Sequence, residues 1–273
     1  MEIKEKGAEG EFEVKHLFGS LVGIVARLRS PEGCPWDRKQ TIPDAARYLV
    51  EETYEVLDAV ENGDSDGLKE ELGDLLFQIL FISRLAEEEK KFDMASVIKA
   101  VSEKMVRRHP HVFGDKKVLS VEDVKRNWDD IKRHVENKES GQRSCIDGIP
   151  LSMPALMRAQ KIAEKAARVG FDWEDVRDVL QKVDEETEEL KRAIAAGSRE
   201  QVEEELGDLL FVLVNLGRFS GVDAEAALRA SIRKFEGRFS FIERKLASKG
   251  RSPAEASLAE MDALWNEAKK SDE

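Results

Sequence analysis

The chain has 273 residues, of which 37% are charged, and its formal net charge is −12. This surplus of negative charge argues against DNA or an anionic membrane as the main partner. The sequence has no uninterrupted apolar stretch of about 18 residues, and its two cysteines, Cys34 and Cys145, do not make a disulfide framework. We expect a soluble, reduced, cytoplasmic protein that binds neither nucleic acid nor membrane.

Helices separated by turn residues are predicted along the first half. Residues 1–15 are weakly patterned and are interpreted as a frayed leader, whereas apolar residues recur at helical spacing over 14–28. Two prolines and a glycine break the chain at 30–37, and Pro43 suits the first turn of a helix that ends near Asn62-Gly63. The remaining predicted helices of this half span about 65–90, 93–108 and 120–137.

The second half repeats this scheme after a polar stretch at 138–149, which is the best linker candidate. Its predicted helices span about 154–168, 173–196, 199–219 and 224–247, and Ser252-Pro253 opens a last one. No run of alternating β-branched residues flanked by hairpin turns is present. The predicted fold class is therefore all-α, with two tandem helical-bundle domains at 15–137 and 150–270 joined by the linker at 138–149.

Eight consecutive residues occur twice, because residues 70–77 recur unchanged as 204–211, 134 residues later. The same separation of 134 residues relates the motif E-E-x-x-E at 51–55 to that at 185–189, so each half carries E-E-x-x-E followed by E-x-x-D. The acids of these motifs that form i, i+3 pairs are Glu52, Glu55, Glu71 and Asp74 in the first half and Glu186, Glu189, Glu205 and Asp208 in the second. A period this long indicates domain duplication rather than a solenoid, whose repeats have roughly 20–50 residues.

The paired acids predict a metal site in each half. Residues three apart project from one side of a helix, and the tight connection at Asn62-Gly63 favours antiparallel packing, which would bring four carboxylates together. Their mutual repulsion would be relieved by a divalent cation, and oxygen ligands suit Mg²⁺ or Mn²⁺. Gly73 and Gly207 lie inside the same helices, where close approach of a ligand or a neighbouring helix would explain a glycine. The alternative is that the acids only solvate helix faces.

Basic residues follow each acid motif along the chain. They are Lys104, Arg107 and Arg108 in the first half and Lys234 and Arg238 in the second, and both groups contain K-x-x-x-R. A lysine and an arginine four apart share a helix face and could hold phosphate oxygens. The alternative is a charged helix end that the helix dipole favours.

One tryptophan lies in the final predicted helix of each half, Trp128 in the first and Trp265 in the second. A tryptophan in this place could stack on a nucleobase. It could equally be an anchor in the core or at an interface.

These motifs resemble those of the MazG-type nucleoside triphosphate pyrophosphohydrolases, as does the segment Gly-Cys-Pro-Trp-Asp at 33–37 followed by Gln40-Thr41. The resemblance covers roughly residues 15–270. It implies two tandem MazG domains with the fold of the all-α NTP pyrophosphatases, and hydrolysis of a nucleoside triphosphate between the α and β phosphates. It also implies dependence on Mg²⁺, a homodimer, and a four-helix core built partly across subunits.

The resemblance also assigns site residues. In the second half, the metal ligands fall on Glu186, Glu189, Glu205 and Asp208, and the nucleotide contacts fall on Lys182, Lys234, Arg238 and Trp265. In the first half, the acids are Glu52, Glu55, Glu71 and Asp74, with Arg107 and Arg108 as phosphate candidates. Tyr48 stands at the position that matches Lys182, Ile42 stands where the family often has histidine, and the second half lacks the Cys-Pro-Trp-Asp loop. We expect the second half to be the complete nucleotide site. Whether the first half also turns over substrate is left open by these differences.

The predicted mechanism is metal-assisted attack of water on a phosphorus atom. Glu185, and Glu51 in the other half, are the leading candidates to orient or deprotonate the water, because each lies next to a ligand but outside the i, i+3 pair. Broad-specificity clearance of nucleotide pools is the expected role. The alternative is a non-catalytic helical dimerisation or adaptor protein with solvated acidic faces.

Overall fold

A computed structural model describes residues 2–118, 120, 123–124, 127–128, 131 and 144–271 of the chain. All regular secondary structure in these ranges is helical, which confirms the predicted all-α class. The chain divides into two compact units, Met1–Glu139 and Ser140–Glu273. Among the described residues, no helix combines the length and the apolar character needed to cross a membrane.

The first unit is built around a helix hairpin. The helices of this unit that are described without gaps are α1 (Glu2–Leu28), α2 (Ile42–Asn62), α3 (Ser65–Glu88), α4 (Met94–Arg108) and the short α5 (Pro110–Phe113). Thr41 begins α2 with a capping box, in which its hydroxyl accepts from the backbone N–H of Asp44 and the Asp44 carboxylate accepts in return. Gly63, with φ 67°, ends α2 in the left-handed region that favours glycine. Only two residues connect α2 to α3, so the two helices pack antiparallel.

The apolar core of the first unit lies at one end of this hairpin. It consists of Val25, Ala45, Leu80, Phe81 and Leu85, which come from α1, α2 and α3. The buried residues of α3 all lie in its C-terminal half, whereas the E-x-x-D motif lies in its N-terminal half. The motif acids Glu71 and Asp74 are therefore placed away from the core.

The second unit repeats the hairpin. Its helices are α6 (Ala155–Ala167), α7 (Val176–Ala196), α8 (Arg199–Phe219), α9 (Ala224–Ala247) and α10 (Leu258–Ser271). Gly197, with φ 71°, ends α7 as Gly63 ends α2, and Ser198 caps α8. One core cluster is formed by Ile242 and Leu246 of α9 with Leu264 of α10, and Trp265 packs against it. The buried residues of α8 again lie in its C-terminal half, beyond the E-x-x-D motif.

Three predicted helix starts were wrong. α1 begins at Glu2, so the stretch interpreted as a frayed leader is helical. α7 begins at Val176 instead of residue 173, because Asp175 forms the capping box that starts the helix. Ser252 caps only a 3₁₀ turn at Pro253–Glu255, and the last helix begins later, at Leu258.

Part of the predicted layout lies outside the described residues. The predicted helix at 120–137 is described only at a few positions, where the Ser120 hydroxyl accepts a hydrogen bond of 3.1 Å from the backbone N–H of Asp123. Half of the predicted linker at 138–149 precedes residue 144, where description resumes. The domain boundaries at 15–137 and 150–270 therefore stay predictions.

Candidate metal and nucleotide site

The acids of the first half converge where α2 and α3 run side by side. One carboxylate oxygen from each of Glu52, Glu55 and Glu71 lies within 4.8 Å of the others, and we call this group the first trio. Glu52 and Glu55 lie one turn apart on α2 and Glu71 lies on α3, so the hairpin itself assembles the trio. Gln78, two turns after Glu71 on α3, donates a hydrogen bond of 3.4 Å from Nε2 to Oε1 of Glu52.

The second half assembles a similar group between α7 and α8. One carboxylate oxygen from each of Glu186, Glu205 and Asp208 lies within 4.8 Å of the others, and we call this group the second trio. Glu186 comes from α7 and the other two come from α8. Glu186 is the most deeply placed of the three, since it is only 5% exposed.

Two of the eight predicted ligands, Asp74 and Glu189, lie outside the trios. The Glu189 carboxylate accepts a hydrogen bond of 3.2 Å from Nη2 of Arg192, which lies one turn later on α7. Both acids nevertheless lie close enough to perturb the trios, because the charge of Asp74 helps to raise the pKa of Glu52 and the charge of Glu189 helps to raise that of Glu205. Helical spacing fixes the side of the helix from which an acid projects, but it leaves the side-chain rotamer free.

Desolvation and repulsion act on both trios. The pKa values of Glu52, Glu71 and Glu205 are raised above the ordinary glutamate value. In each case the largest cause is partial removal of the carboxylate from solvent, and the negative charge of neighbouring carboxylates adds to it. The hydrogen bond from Gln78 opposes the shift at Glu52. The carboxylates of both trios therefore repel one another and are partly removed from solvent.

Lys182 is a counter-ion within the second trio. Its Nζ lies 2.8 Å from Oε1 of Glu186 and 2.9 Å from Oε1 of Glu185. These bonds, the one to Glu186 first, raise the pKa of Lys182 above its ordinary value. The lysine predicted to contact the nucleotide thus binds a predicted metal ligand and the predicted base. In the first half, the equivalent positions hold Tyr48 and the exposed Glu51.

A cation lies over a tryptophan ring in both halves. The guanidinium carbon of Arg238 lies 5.5 Å from the ring centroid of Trp265, and the ring of Phe235 lies 5.2 Å from it. The guanidinium carbon of Arg108 lies 4.9 Å from the ring centroid of Trp128. Because Trp265 also packs against the core cluster of its unit, it is a structural anchor whichever ligand it meets.

The other predicted phosphate-binding residues lie on the same helices. Lys234 precedes Arg238 by one turn on α9, and Lys104 precedes Arg108 by one turn on α4. Lys234 and Arg107 are exposed, whereas Lys104 is partly buried. Each lysine therefore shares a helix face with the arginine four residues later, as the sequence spacing predicts.

The donor chemistry of both trios fits a metal ion. Both groups consist of carboxylates, and no histidine or cysteine of the described residues joins them. Oxygen-only donor sets suit hard divalent cations, and such a cation would remove the repulsion that raises the pKa values.

One residue of the site was not predicted from the sequence, and one expectation about the motif glycines differs from the structure in part. Gln78 was not identified, although it lies seven residues after Glu71 and so on the same face of α3. Within the described chain, no neighbouring helix approaches Gly73 or Gly207, because a Cβ at either position would meet nothing within 4 Å. Close approach of a ligand to these glycines stays a prediction.

Two helix hairpins, each carrying a trio of carboxylates, define this chain as an all-α protein with a duplicated acidic site suited to a metal ion. The family model for the MazG nucleotide pyrophosphohydrolase domain matches it twice, at residues 40–113 and 174–240. Both matches include a complete trio. The chain belongs to the MazG nucleotide pyrophosphohydrolase family, as its sequence motifs predicted.

Two bacterial proteins are similar to this chain over nearly their whole length. The nucleoside triphosphate pyrophosphohydrolase of Escherichia coli (strain K12) is 46% identical over 253 residues, which cover 92% of this chain and 96% of the relative. The nucleoside triphosphate pyrophosphohydrolase/pyrophosphatase MazG of Thermotoga maritima is 44% identical over 257 residues, which cover 94% and 97%. A crystal structure of a mazG-related protein from Thermotoga maritima is 33% identical, with a TM-score of 0.37, and the match covers 42% of this chain and 97% of that one.

Proposed function

We propose that this protein hydrolyses nucleoside triphosphates between the α and β phosphates, releasing a nucleoside monophosphate and pyrophosphate. The proposal includes Mg²⁺ as the metal, with Mn²⁺ as a substitute, and a broad range of bases. The observation that carries it is the second trio, because α7 and α8 bring carboxylate oxygens of Glu186, Glu205 and Asp208 within 4.8 Å of one another. Membership of the family and the names of its near full-length relatives support the same reaction.

The residues of the second half have complementary roles in this proposal. Glu186, Glu205 and Asp208 would hold the metal, with Glu189 beside them. Mg²⁺, when bound, supplies neutralisation of the triphosphate charge and of the charge that develops on the leaving group. The cations Lys182, Lys234 and Arg238 would hold phosphate oxygens, and Trp265 would stack on the base.

The reaction adds water across the bond that joins the α and β phosphates. The water oxygen forms a bond to a phosphorus atom, the bridging oxygen leaves with the other product, and a proton passes to a nearby base. Glu185 is our candidate for that base, because it lies next to Glu186 and shares Lys182 with it. Once Lys182 turns towards phosphate, the Glu185 carboxylate is released to accept the proton.

We assign complete turnover to the second half. The first half has the acids Glu52, Glu55 and Glu71 in its trio with Asp74 nearby, and Glu51 at the position of the base. Its phosphate-binding candidates are Lys104, Arg107 and Arg108. It has Tyr48 where the second half has Lys182, so it lacks the cation at that position beside the trio.

A homodimer is part of the proposal. Leu206, Leu210 and Leu213 of α8 are 46%, 45% and 41% exposed, and their spacing places them on one helix face. Leu72 and Ile79 of α3, at positions equivalent to Leu206 and Leu213, are also exposed. Apolar faces of this kind favour burial against a second chain. Light scattering of the wild type should give the mass of two chains, and L206E/L210E should give the mass of one.

The product assay tests the activity directly. Each common nucleoside triphosphate is incubated with the full chain and Mg²⁺ in ¹⁸O-labelled water, and monophosphate, diphosphate, pyrophosphate and phosphate are quantified. We expect monophosphate and pyrophosphate in equal amounts, and the product that carries ¹⁸O identifies the phosphorus atom that water attacks. Diphosphate and phosphate as products would contradict the assignment of the cleaved bond.

Matched variants locate the activity. E186Q should lower the rate by about 10²-fold or more, since even residues that only orient metal ligands cost about 10–100-fold. E188Q, on the same helix but paired with the exposed Lys191, should keep the wild-type rate. E52Q tests the first half in the same way. The adaptor alternative predicts no product from any nucleotide and no change of thermal stability with Mg²⁺ and nucleotide.

A further inference from the structure

The two trios differ in the side chain that satisfies their deepest carboxylate. In the second half, the ammonium of Lys182 binds Glu186 at 2.8 Å. In the first half, the neutral amide of Gln78 binds Glu52 at 3.4 Å. The differences are reciprocal, because Tyr48 stands at the position of Lys182 and the buried Val212 stands at the position of Gln78. The second trio is thus partly neutralised by a lysine, whereas the side chain bound to Glu52 in the first trio is uncharged.

Lys182 can leave its carboxylate without moving the backbone. It lies one turn before Glu186 on α7, and its flexible four-carbon stem carries the only charge that must move. A metal ion on Oε1 of Glu186 would lie about 2.1 Å from that oxygen. The ammonium now lies 2.8 Å from the same oxygen, so the two cations would be less than about 5 Å apart. Their repulsion in a partly desolvated place makes simultaneous binding unfavourable.

We propose that Lys182 is a built-in counter-ion that must leave Glu186 before a divalent cation binds there, so that the second half takes up metal together with a triphosphate while the first half takes up metal alone. The inference rests on the proposed function in two respects, the assignment of the trios to a metal and the binding of a triphosphate to the second half. The ammonium released from Glu186 finds a new partner in a phosphate oxygen. Metal and triphosphate therefore bind cooperatively in the second half, and by linkage each strengthens the other.

The remaining charges around Lys182 do not remove this competition. Glu185, at 2.9 Å, is the second partner of its ammonium and holds it beside the trio. Glu189 is engaged by Arg192 on the outer side of α7. At the equivalent position of the first half, Tyr48 carries no positive charge.

The test is Mn²⁺ binding, followed by the electron paramagnetic resonance signal of the free ion, to the nucleotide-free full chain. The E52Q/E71Q background removes two ligands of the first trio, so that binding reports on the second. There, K182M should bind Mn²⁺ at least about tenfold more tightly than the parent, because it keeps the apolar stem and loses the competing charge. K191M is the matched control, since Lys191 lies on the same helix and pairs with Glu188 outside the trio. It should bind Mn²⁺ like the parent.

An inert analogue with a methylene bridge between the α and β phosphates extends the test. It should tighten Mn²⁺ binding in the K191M protein and tighten it much less in the K182M protein. The reciprocal variant Y48K, made with an intact first trio in an E186Q/E205Q background, should weaken nucleotide-free Mn²⁺ binding. Tyr48 is partly exposed, so this variant keeps the inference testable if K182M fails to fold.

Equal Mn²⁺ affinities for K182M and K191M would overturn the inference, even if the wild type releases pyrophosphate as proposed. Unchanged binding in Y48K would overturn it as well. If neither trio binds Mn²⁺, with or without the analogue, the proposed function would lose its metal, and the inference would fall with it.

Discussion

The guanidinium of Arg29 lies 2.6 Å from a carboxylate oxygen of Glu88, although 59 residues separate the two in the chain. The Arg29 side chain is only 9% exposed, and it also donates to the backbone carbonyls of Asp37 and Gln40. Arg29 thereby joins the end of α1 to the end of α3 and to the loop that leads into α2. The loop is fixed just before Thr41, which caps the helix that carries two of the three acids of the first trio.

We expect R29A to lower the free energy of unfolding of the first half by about 3 kcal/mol, because it removes a largely buried guanidinium that binds Glu88 and two backbone carbonyls, and leaves Glu88 with Arg84 alone. R29K should recover only part of this, since lysine lacks the fork that binds a carboxylate and two carbonyls together. Urea unfolding measures both. The control is E87Q, which breaks the more exposed pair of Glu87 with Arg84 and should change stability by less than about 1 kcal/mol. Equal effects of R29A and E87Q would contradict the role of Arg29.

The raised pKa values of Glu52, Glu71 and Glu205 predict a pH dependence of stability in the absence of metal. These acids bind a proton more tightly in the folded chain than in the unfolded chain. The stability that these acids contribute to the folded chain is therefore fully present below the ordinary glutamate pKa. It is lost as the pH rises through the raised pKa values. In a chelator, E71Q should melt at a higher temperature than the wild type near neutral pH, and the difference should vanish near about pH 4.

Divalent cations should reverse that order. A ligand that binds only the folded chain stabilises it by mass action, so Mg²⁺ or Mn²⁺ should raise the melting temperature of the wild type. E71Q should gain less, because one ligand of the first trio has been replaced. An E71Q protein that melts below the wild type in chelator would contradict the repulsion that we infer within the trio.

Trp265 is expected to contribute to nucleotide affinity and to packing at once. W265F should keep much of the contact with the core cluster of α9 and α10 but stack less well on a base. Since stacking on an aromatic side chain contributes about 1–3 kcal/mol, KM should rise roughly 5-fold to 100-fold with little change in kcat. Steady-state kinetics measure this, and W128F, in the first half, is the control. A fall in kcat at unchanged KM would show that Trp265 acts only by holding the fold.

The two motif glycines predict an increase in stability when replaced. A Cβ at Gly73 or Gly207 meets nothing within 4 Å in the described chain, so G207A should stabilise the unliganded monomer by about 0.5–1 kcal/mol through helix propensity. G217A, in the same helix, is the control, because its Cβ would lie 3.0 Å from the carbonyl oxygen of Val222. Urea unfolding at low protein concentration should separate the two. A G207A that destabilises the monomer would show that the space is not open.

The sequence alone predicted the fold class, the family and most helix bounds, including those of α8 and α9. It did so because apolar spacing, caps and left-handed glycines such as Gly63 and Gly197 are local signals. It predicted four ligands in each half, and three of the four lie together in each trio. The position of the fourth could not be predicted, because rotamers and competing partners such as Arg192 depend on the folded neighbourhood. The pair of Arg29 and Glu88 leaves no local signal at all. The bond from Lys182 to Glu186 was accessible in principle, since the two lie four apart on one helix.

The two-residue connections at Gly63 and Gly197 have a consequence for how the chain reaches its native state. In each half, the helices that carry the acids are neighbours in sequence, so their contacts close short loops and the contact order of each hairpin is low. Low contact order favours fast folding. During synthesis, the first hairpin can therefore close while the residues of the second are still being added by the ribosome. A fault in either connection should slow the folding of its own half and leave the other half on schedule.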